Sequence, residues 1–348
     1  MVSSVAISSA LAIAALIAWK ALVPNYKTSS KSGRDGESKS VLITGYSEGS
    51  IGAALAHAFH AHGYIVFATA RRISNIPARL QDLSRIHALE LNVTDQTSIN
   101  RAVTDITRHV DGKGLDVLVN SAGTMLSGLK LVHVDIDQVG KQCFEVNVWG
   151  PLRMMQAFSA LLVKASEKDN GNATVVNLGS IIGEIWFAYQ PLYAASKAAL
   201  HTISESMRLE LAPFRIRVLA VVVDAVQSNL QRNQPRFHAN SDSFYAPIQE
   251  KIRDFVEGVV PHSETPTEDF AEQVVRDVEM GKEGKVWRGQ GVWLIWFLGT
   301  IMPTRVSDWV FSAMKGLSGL RRVREASGSG TRKAGWSEKL EKWLEVLA

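Results

Sequence analysis

The stretch Val41-Leu42-Ile43-Thr44-Gly45-Tyr46-Ser47-Glu48-Gly49-Ser50-Ile51-Gly52 decides the fold. A short apolar run comes first, a glycine-rich turn follows, and Ile51–His62 then carries apolar residues at helical spacing. Glycine permits a tight turn, close approach of backbone to a pyrophosphate, and packing of helix on strand. The helix N-terminus adds free amide donors. A glycine pattern alone says little. Strand before, helix after and first place in the domain mark a dinucleotide-binding turn, with Gly45, Ser47, Ser50, Ile51 and Gly52 as expected cofactor contacts.

Outward from this turn, Ile65–Phe67, Ala88–Leu91, Leu115–Val119, Thr174–Leu178 and Val218–Val223 are further continuous apolar runs. Helical spacing fills Thr94–His109, Asp137–Lys164 and Pro191–Phe214. Strands apolar at every position are buried on both faces, which implies a parallel sheet. Their alternation with helices predicts a doubly wound, Rossmann-like α/β domain over residues 40–285.

The chain has 348 residues, about 100 more than one such domain of about 250 needs. With 46% apolar and 21% charged residues it is not a disordered chain. A lone cysteine, Cys143, excludes a disulfide framework and a multi-cysteine zinc site. A net charge of +4 is too small to argue for nucleic acid. His57, His60 and His62 read as a polar helix end, and no metal site is expected.

The surplus lies at the ends. No charged side chain precedes Lys20, and Val2–Trp19 is apolar or small throughout. Such a run is long enough to cross a hydrocarbon core of about 30 Å, so residues 1–24 are predicted to be a transmembrane anchor and 25–39 a linker. A removed signal peptide and a buried helix are the rivals; the basic n-region of the former is missing. Lys20, Lys27, Lys31 and Arg34 follow the run, so the body is expected on the cytosolic side. At the other end, residues 286–348 hold an apolar segment and a charged tail. Gly291–Met302 is too short to span, and reads as a core helix or, given the tryptophans around it, as an interfacial segment.

Two features carry chemistry. After the second strand an NAD site wants an acidic residue, but Thr69-Ala70-Arg71-Arg72 stands there. A guanidinium pairs with a 2′-phosphate, so Arg71 favours NADPH; a solvated arginine pair is the alternative. Tyr193 and Lys197 are four apart on one helix face. An ammonium near a phenol favours the phenolate and brings it nearer the working pH. Ser180 ends the preceding strand, at the sheet edge where ligands bind, and can hydrogen-bond a carbonyl.

Over about residues 39–235 the chain resembles the short-chain dehydrogenase/reductase family. The resemblance rests on Thr44–Gly52, Asn120-Ser121-Ala122-Gly123, Asn147, and Ser180, Tyr193 and Lys197, in order and at proper spacing. It implies that Tyr193 gives a proton to a carbonyl, and that Lys197 lowers its pKa and holds the nicotinamide ribose. By the same resemblance Ser180 positions the substrate, Asn147 holds a water, and Asn120 supports the strand beneath the cofactor. The longer turn, the Ala-Arg-Arg after the second strand and Val286-Trp287-Arg288-Gly289 resemble the fungal 1-acyldihydroxyacetone-phosphate reductase branch. That implies NADPH, a lipophilic ketone substrate, and an endoplasmic-reticulum or lipid-droplet membrane. Relatives pair through their two long helices, so a homo-oligomer is one option; membrane-bound relatives need not follow them.

The chain also departs from the family. Ser121 replaces an asparagine, and Asn92 stands where an aspartate commonly contacts adenine. Asp224-Ala225-Val226-Gln227-Ser228 replaces a Pro-Gly-x-x-x-Thr stretch. Val226 and Ser228 are expected still to clasp the carboxamide, while Asp224 puts a carboxylate near the cofactor and is expected to weaken binding or alter substrate choice. Beyond Ser228, Arg232, Arg236 and His238 form a basic cluster that suits a phosphate-bearing lipid or is simply a solvated loop. The functions weighed are reduction of a lipid precursor, tailoring of a fungal secondary metabolite, and a non-catalytic membrane-tethered protein that kept the fold.

Overall fold

The computed structural model describes residues 38–81, 83–125, 134–168, 172–230, 243–256 and 264–327. The predicted anchor, nearly all of the linker, the Arg232–Arg236–His238 cluster and the end of the charged tail lie outside them. Strands β1 (Ser40–Ile43), β2 (Ile65–Ala70), β3 (Ile86–Glu90), β4 (Val117–Asn120), β5 (Ala173–Leu178), β6 (Ile216–Asp224) and β7 (Gly284–Gly289) form one sheet. Its order is β3-β2-β1-β4-β5-β6-β7, parallel throughout. The helices used below are α1 (Ile51–Ala61), α2 (Gln96–His109), α3 (Gly150–Ser166), α4 (Pro191–Leu211) and α5 (Gln249–Val256). They continue with α6 (Thr267–Glu279), α7 (Val292–Thr300), α8 (Thr304–Met314) and α9 (Leu317–Ser327).

The continuous apolar runs are explained by burial on both faces. Val41 and Ile43 of β1 join a cluster with α1 and α6, whereas Leu42 between them joins the opposite cluster with α2 and α3. All three are fully buried. Helix α1 starts where Ser50 caps it: its hydroxyl accepts from Ala53 N at 3.1 Å.

Three features differ from the sequence expectation. The boundary placed at 285 falls inside β7, which pairs with β6 and closes that side of the sheet. The signal was weak because β7 is short, half-buried and bounded by glycines that read as turns. Second, Asp137–Lys164 is not one regular helix. Wide π-helical turns occupy Ile136–Gly140 and Glu145–Trp149 before α3 begins. Pro151 has no N–H to give the carbonyl four residues back, at Asn147, so the spiral loosens there. Third, His62, at the C-cap of α1, meets carboxylates supplied by α6: it lies 3.0 Å from Glu279 and 3.2 Å from Glu272. No metal-holding cluster occurs among the described residues.

Burial works against the charged form of His62, but the two glutamates outweigh it and raise its pKa. Stability from this tie is therefore fully present below about pH 6.5 and fades as pH rises through the raised folded value. Replacing His62 by Gln should lower Tm at pH 5.5 and change it less at pH 8.5, as followed by calorimetry at both pH values.

Among the described residues no helix is long and apolar enough to cross a membrane. The apolar C-terminal segment forms α7. Its Val292, Ile295 and Leu298 pack with Ile181, Ile185 and Val222, while Leu294, Trp296 and Phe297 are exposed. One side is thus core and the other faces outward.

Candidate active site

A cleft of about 1760 Å³ opens along the carboxyl ends of the strands, where the order reverses between β1 and β4. Of the predicted cofactor residues, Gly45, Ser47, Ser50, Ile51, Gly52, Arg71, Asn92, Val226 and Ser228 line it, as do Ser180, Tyr193 and Lys197. Asn120 and Asn147 do not.

The glycine turn is shaped by lack of space. Gly45 has φ +79°, and a Cβ there would lie 2.6 Å from Ala122 Cα; one on Gly52 would lie 2.6 Å from Gly45 O. The cradle therefore needs glycine at both positions, and it presents the start of α1 to the cleft, which suits a pyrophosphate. Thr44, at the head of the motif but not among the expected contacts, ties this turn to the end of β4. Its hydroxyl accepts from Ser121 N and Ala122 N, both at 3.0 Å. Ser50 is more a cap than a free ligand, because Ser47 N and Ala53 N both donate to its oxygen. Arg71 is exposed at the end of β2, inside the cleft. The Asn92 amide oxygen accepts from Thr94 N and Thr94 Oγ1, so it braces its own loop.

Asp224 ends β6 and lines the cleft. Beyond it, Val226 bridges to Thr265, and Gln227 N donates to Thr265 O at 3.0 Å. This bridge holds Val226 and Ser228 along the cleft without a proline. Asn229 reaches across to donate to Glu48 O at 2.5 Å, closing the loop over the glycine turn.

Helix α4 buries Tyr193, Lys197, Leu200, His201 and Ser204 on one side, the spacing of a single helix face. Lys197 Nζ donates to Leu178 O at 2.8 Å and sits 5.8 Å from the Tyr193 ring centre. Burial pushes the Tyr193 phenol up to about 12, against a hydrogen bond with Ser180 that pulls it down. Burial pushes Lys197 down to about 8. Burial, against the Ser180 hydrogen bond, thus favours the neutral phenol of Tyr193.

Asn147 is fully buried, and it both accepts from Thr124 N and donates to Thr124 O, each at 2.9 Å. Its amide also donates to Ser196 Oγ at 3.0 Å. Asn120 donates to Asn177 Oδ1 at 2.8 Å, and Asn177 to Ser204 at 2.9 Å, joining β4, β5 and α4 under the cleft floor. Both asparagines brace the site from behind.

The sequence reading missed a second set behind Ser180. Ser180 N donates to His201 Nε2 at 3.2 Å, so the ring proton belongs on Nδ1, which lies 2.7 Å from Glu184 Oε1. Lys285 of β7 lies 2.6 Å from the same Glu184 oxygen. Burial opposes the charged Glu184, but His201 and Lys285 prevail and hold its carboxyl below the usual range. His201 follows Lys197 by four residues, so helical spacing alone could have placed it on the catalytic face.

The loop from Ser180 to Gln190 is also clamped by the C-terminal helices. Trp186 Nε1 donates to Asp308 at 2.8 Å, Phe187 meets Phe311 edge-on at 4.9 Å, and Tyr189 donates to Lys315 O at 3.1 Å. Helix α7 and the end of α8 thereby form the outer wall of the cleft.

A parallel sheet in this order, a glycine cradle at its switch point and a Ser–Tyr–Lys group at the strand ends define a dinucleotide-dependent oxidoreductase fold. Residues 39–238 match the family described as short chain dehydrogenase, and the chain belongs to that family. It is 40% identical over 283 residues to short-chain dehydrogenase ptmH of Penicillium ochrochloron, covering 81% of this chain and 100% of that one. It is 38% identical over 195 residues to the NADPH-dependent 1-acyldihydroxyacetone phosphate reductase of Schizosaccharomyces pombe, covering 56% of this chain and 62% of that one. A solved short-chain dehydrogenase from Streptomyces avermitilis superposes with a TM-score of 0.65 at 25% identity, covering 85% of this chain and 100% of that one.

Proposed function

We propose that this protein is an NADPH-dependent reductase of a lipophilic ketone, with Tyr193 as proton donor. The observation that carries it is the buried Ser180–Tyr193–Lys197 group opening onto a cleft too large for one small ligand. The glycine cradle, the start of α1 and Arg71 fit an NADP dinucleotide, its 2′-phosphate falling to Arg71. When bound, NADPH supplies the hydride to the carbonyl carbon. Ser180 holds the carbonyl oxygen, and the neutral Tyr193 phenol gives it a proton. Lys197, still largely protonated at pH 7, holds the ribose and favours the phenolate left behind. Asn147, through Thr124 and Ser196, keeps α4 at its distance from the loop after β4.

The preferred substrate is an acylated dihydroxyacetone phosphate, supported by the Schizosaccharomyces pombe relative. The second reading is tailoring of a fungal secondary metabolite; the Penicillium relatives that cover much more of the chain are named only as short-chain dehydrogenases and do not tie it to a lipid precursor. A non-catalytic role needs Asp224 to exclude the cofactor, and intact Ser180, Tyr193 and Lys197 argue against it. The reading includes a single-pass anchor at residues 1–24, with the body facing the cytosol at an endoplasmic-reticulum or lipid-droplet membrane. The uncharged N-terminal run and the exposed Leu294, Trp296 and Phe297 support this. Pairing of two copies through the long helices remains part of the proposal.

The test is NADPH oxidation by purified protein with a panel of lipophilic ketones. If no ketone is reduced and NADPH does not raise Tm, the reductase reading falls. Within the same assay, Arg71→Ala should raise KM for NADPH about tenfold to a hundredfold, the loss of a charge-assisted phosphate contact. NADH kinetics should stay unchanged. Equal losses with both cofactors would remove Arg71 from the 2′-phosphate site.

A further inference from the structure

The cleft wall away from the glycine turn holds a cation that the reductase chemistry does not use. Lys315, between α8 and α9, lines the same cleft as Tyr193. Its Nζ lies 3.1 Å from the Phe255 ring centre and 4.7 Å from that of Phe187. Two aromatic faces thus fix the ammonium in place, one from α5 and one from the loop that carries Ser180. The backbone is fixed as well, since Tyr189 donates to Lys315 O.

What the ammonium lacks is an acceptor. It has three donors, and among the described residues no carboxylate, carbonyl or hydroxyl takes one of them. Ring faces are weak partners for a half-buried charge. Burial accordingly pushes this lysine down to about 7. Lys251 and Asp254 of α5 line the same cleft, and neither is paired with Lys315. A lysine kept in so costly a place, aromatic on two sides and open to the substrate space, is poised for a ligand that completes it.

We propose that Lys315 recognises an oxyanion, a carboxylate or phosphate, carried by the lipophilic ketone away from its carbonyl. This rests on the reductase reading and names the substrate class within it: an amphipathic keto acid or keto phosphate, in preference to a neutral ketone. The apolar part of such a molecule lies against Phe187, Leu294 and Ile295, which line the cleft beside it. Lys315 takes no part in proton or hydride transfer, so its loss should leave the chemistry on a neutral ketone intact.

The test compares 2-decanone, 9-oxodecanoate and 1-acyldihydroxyacetone phosphate as substrates of the full chain, its Lys315→Met variant and its Lys315→Arg variant. For Lys315→Met, kcat/KM on an anionic ketone should fall about tenfold to a hundredfold, chiefly through KM. Activity on 2-decanone should stay nearly unchanged, and Lys315→Arg should keep the anionic preference. A fall confined to the carboxylate or to the phosphate supports the proposal and identifies which oxyanion is read. An equal fall on all three, or none, overturns it and leaves Lys315 as part of the wall only. Binding of decanoate and decanol, followed by thermal shift, decides the matter independently of turnover. Decanoate should stabilise the wild type and Lys315→Arg but not Lys315→Met, and decanol should treat all three alike. If the wild type reduces no ketone, the reductase reading fails, while this binding comparison still confirms or overturns the anion site.

Discussion

Tyr193→Phe should lower kcat for ketone reduction by about 10²- to 10⁴-fold, the usual worth of a positioned general acid. The ring stays: Tyr193 is 4% exposed and packed on the face of α4 that meets the sheet, so phenylalanine keeps the packing. What goes is one hydroxyl and its hydrogen bond with Ser180, costing about 1 kcal/mol of stability. NADPH should therefore still raise Tm, because the glycine cradle and Arg71 are untouched. The pH profile sharpens the test. With the phenol pushed to about 12, the wild type should show no loss of its proton donor through the neutral range. Lys197, pushed down to about 8, is charged below that pH and neutral above it, so rate should fall as pH passes through 8. A rate that instead rises above pH 8 would mean that the ammonium is not needed and that the roles of Tyr193 and Lys197 must be redrawn.

This assignment shows which parts of the site a sequence can carry. Tyr193 and Lys197 were legible because helical spacing is local: four residues bring them to one face whatever the rest of the chain does. Ser180 was legible because a strand end in a parallel sheet is a ligand edge. The pKa direction was not legible. It depends on how deeply Tyr193 is buried and on its hydrogen bond with Ser180, both of which are tertiary facts. The same division explains the fold. Strands buried on both faces announce themselves, as with β1, β5 and β6. β7 is half-buried and glycine-bounded, and α6, though amphipathic, lies beyond the residues in which motifs could guide the eye. Ser50 illustrates a subtler limit: its place in the turn was right, but its hydroxyl is spent on capping α1. Glu184, His201 and Lys285 meet only because β7 returns beside β6 and α4, a convergence that no spacing encodes.

That return of β7 makes Asp277→Ala the substitution with the largest expected effect on stability. Asp277 of α6 is 1% exposed. Arg288 of β7 grips it with two bonds, Nε to Oδ2 at 2.8 Å and Nη2 to Oδ1 at 2.6 Å. Lys282 adds a contact at 2.8 Å but is much more exposed, so it contributes little. Removing the carboxylate leaves the Arg288 guanidinium half-buried without its partner, and breaking a buried pair in this way costs about 3–5 kcal/mol. For a domain of this size that is a fall in Tm of about 6–15 °C. The penalty is one of orphaned charge, not of lost attraction. Asp277→Leu combined with Arg288→Met, which removes both charges and keeps volume, should therefore recover most of the loss. The strand also carries function: Trp287, next to Arg288, packs with Ile181, Ile185 and Phe311, at the root of the loop that bears Ser180 and of the wall that bears Lys315. Asp277→Ala should accordingly raise KM for ketone more than KM for NADPH at temperatures well below the new Tm. A double variant no more stable than Asp277→Ala would show that the pair is needed for its attraction, and that β7 is held to α6 by charge more than by packing.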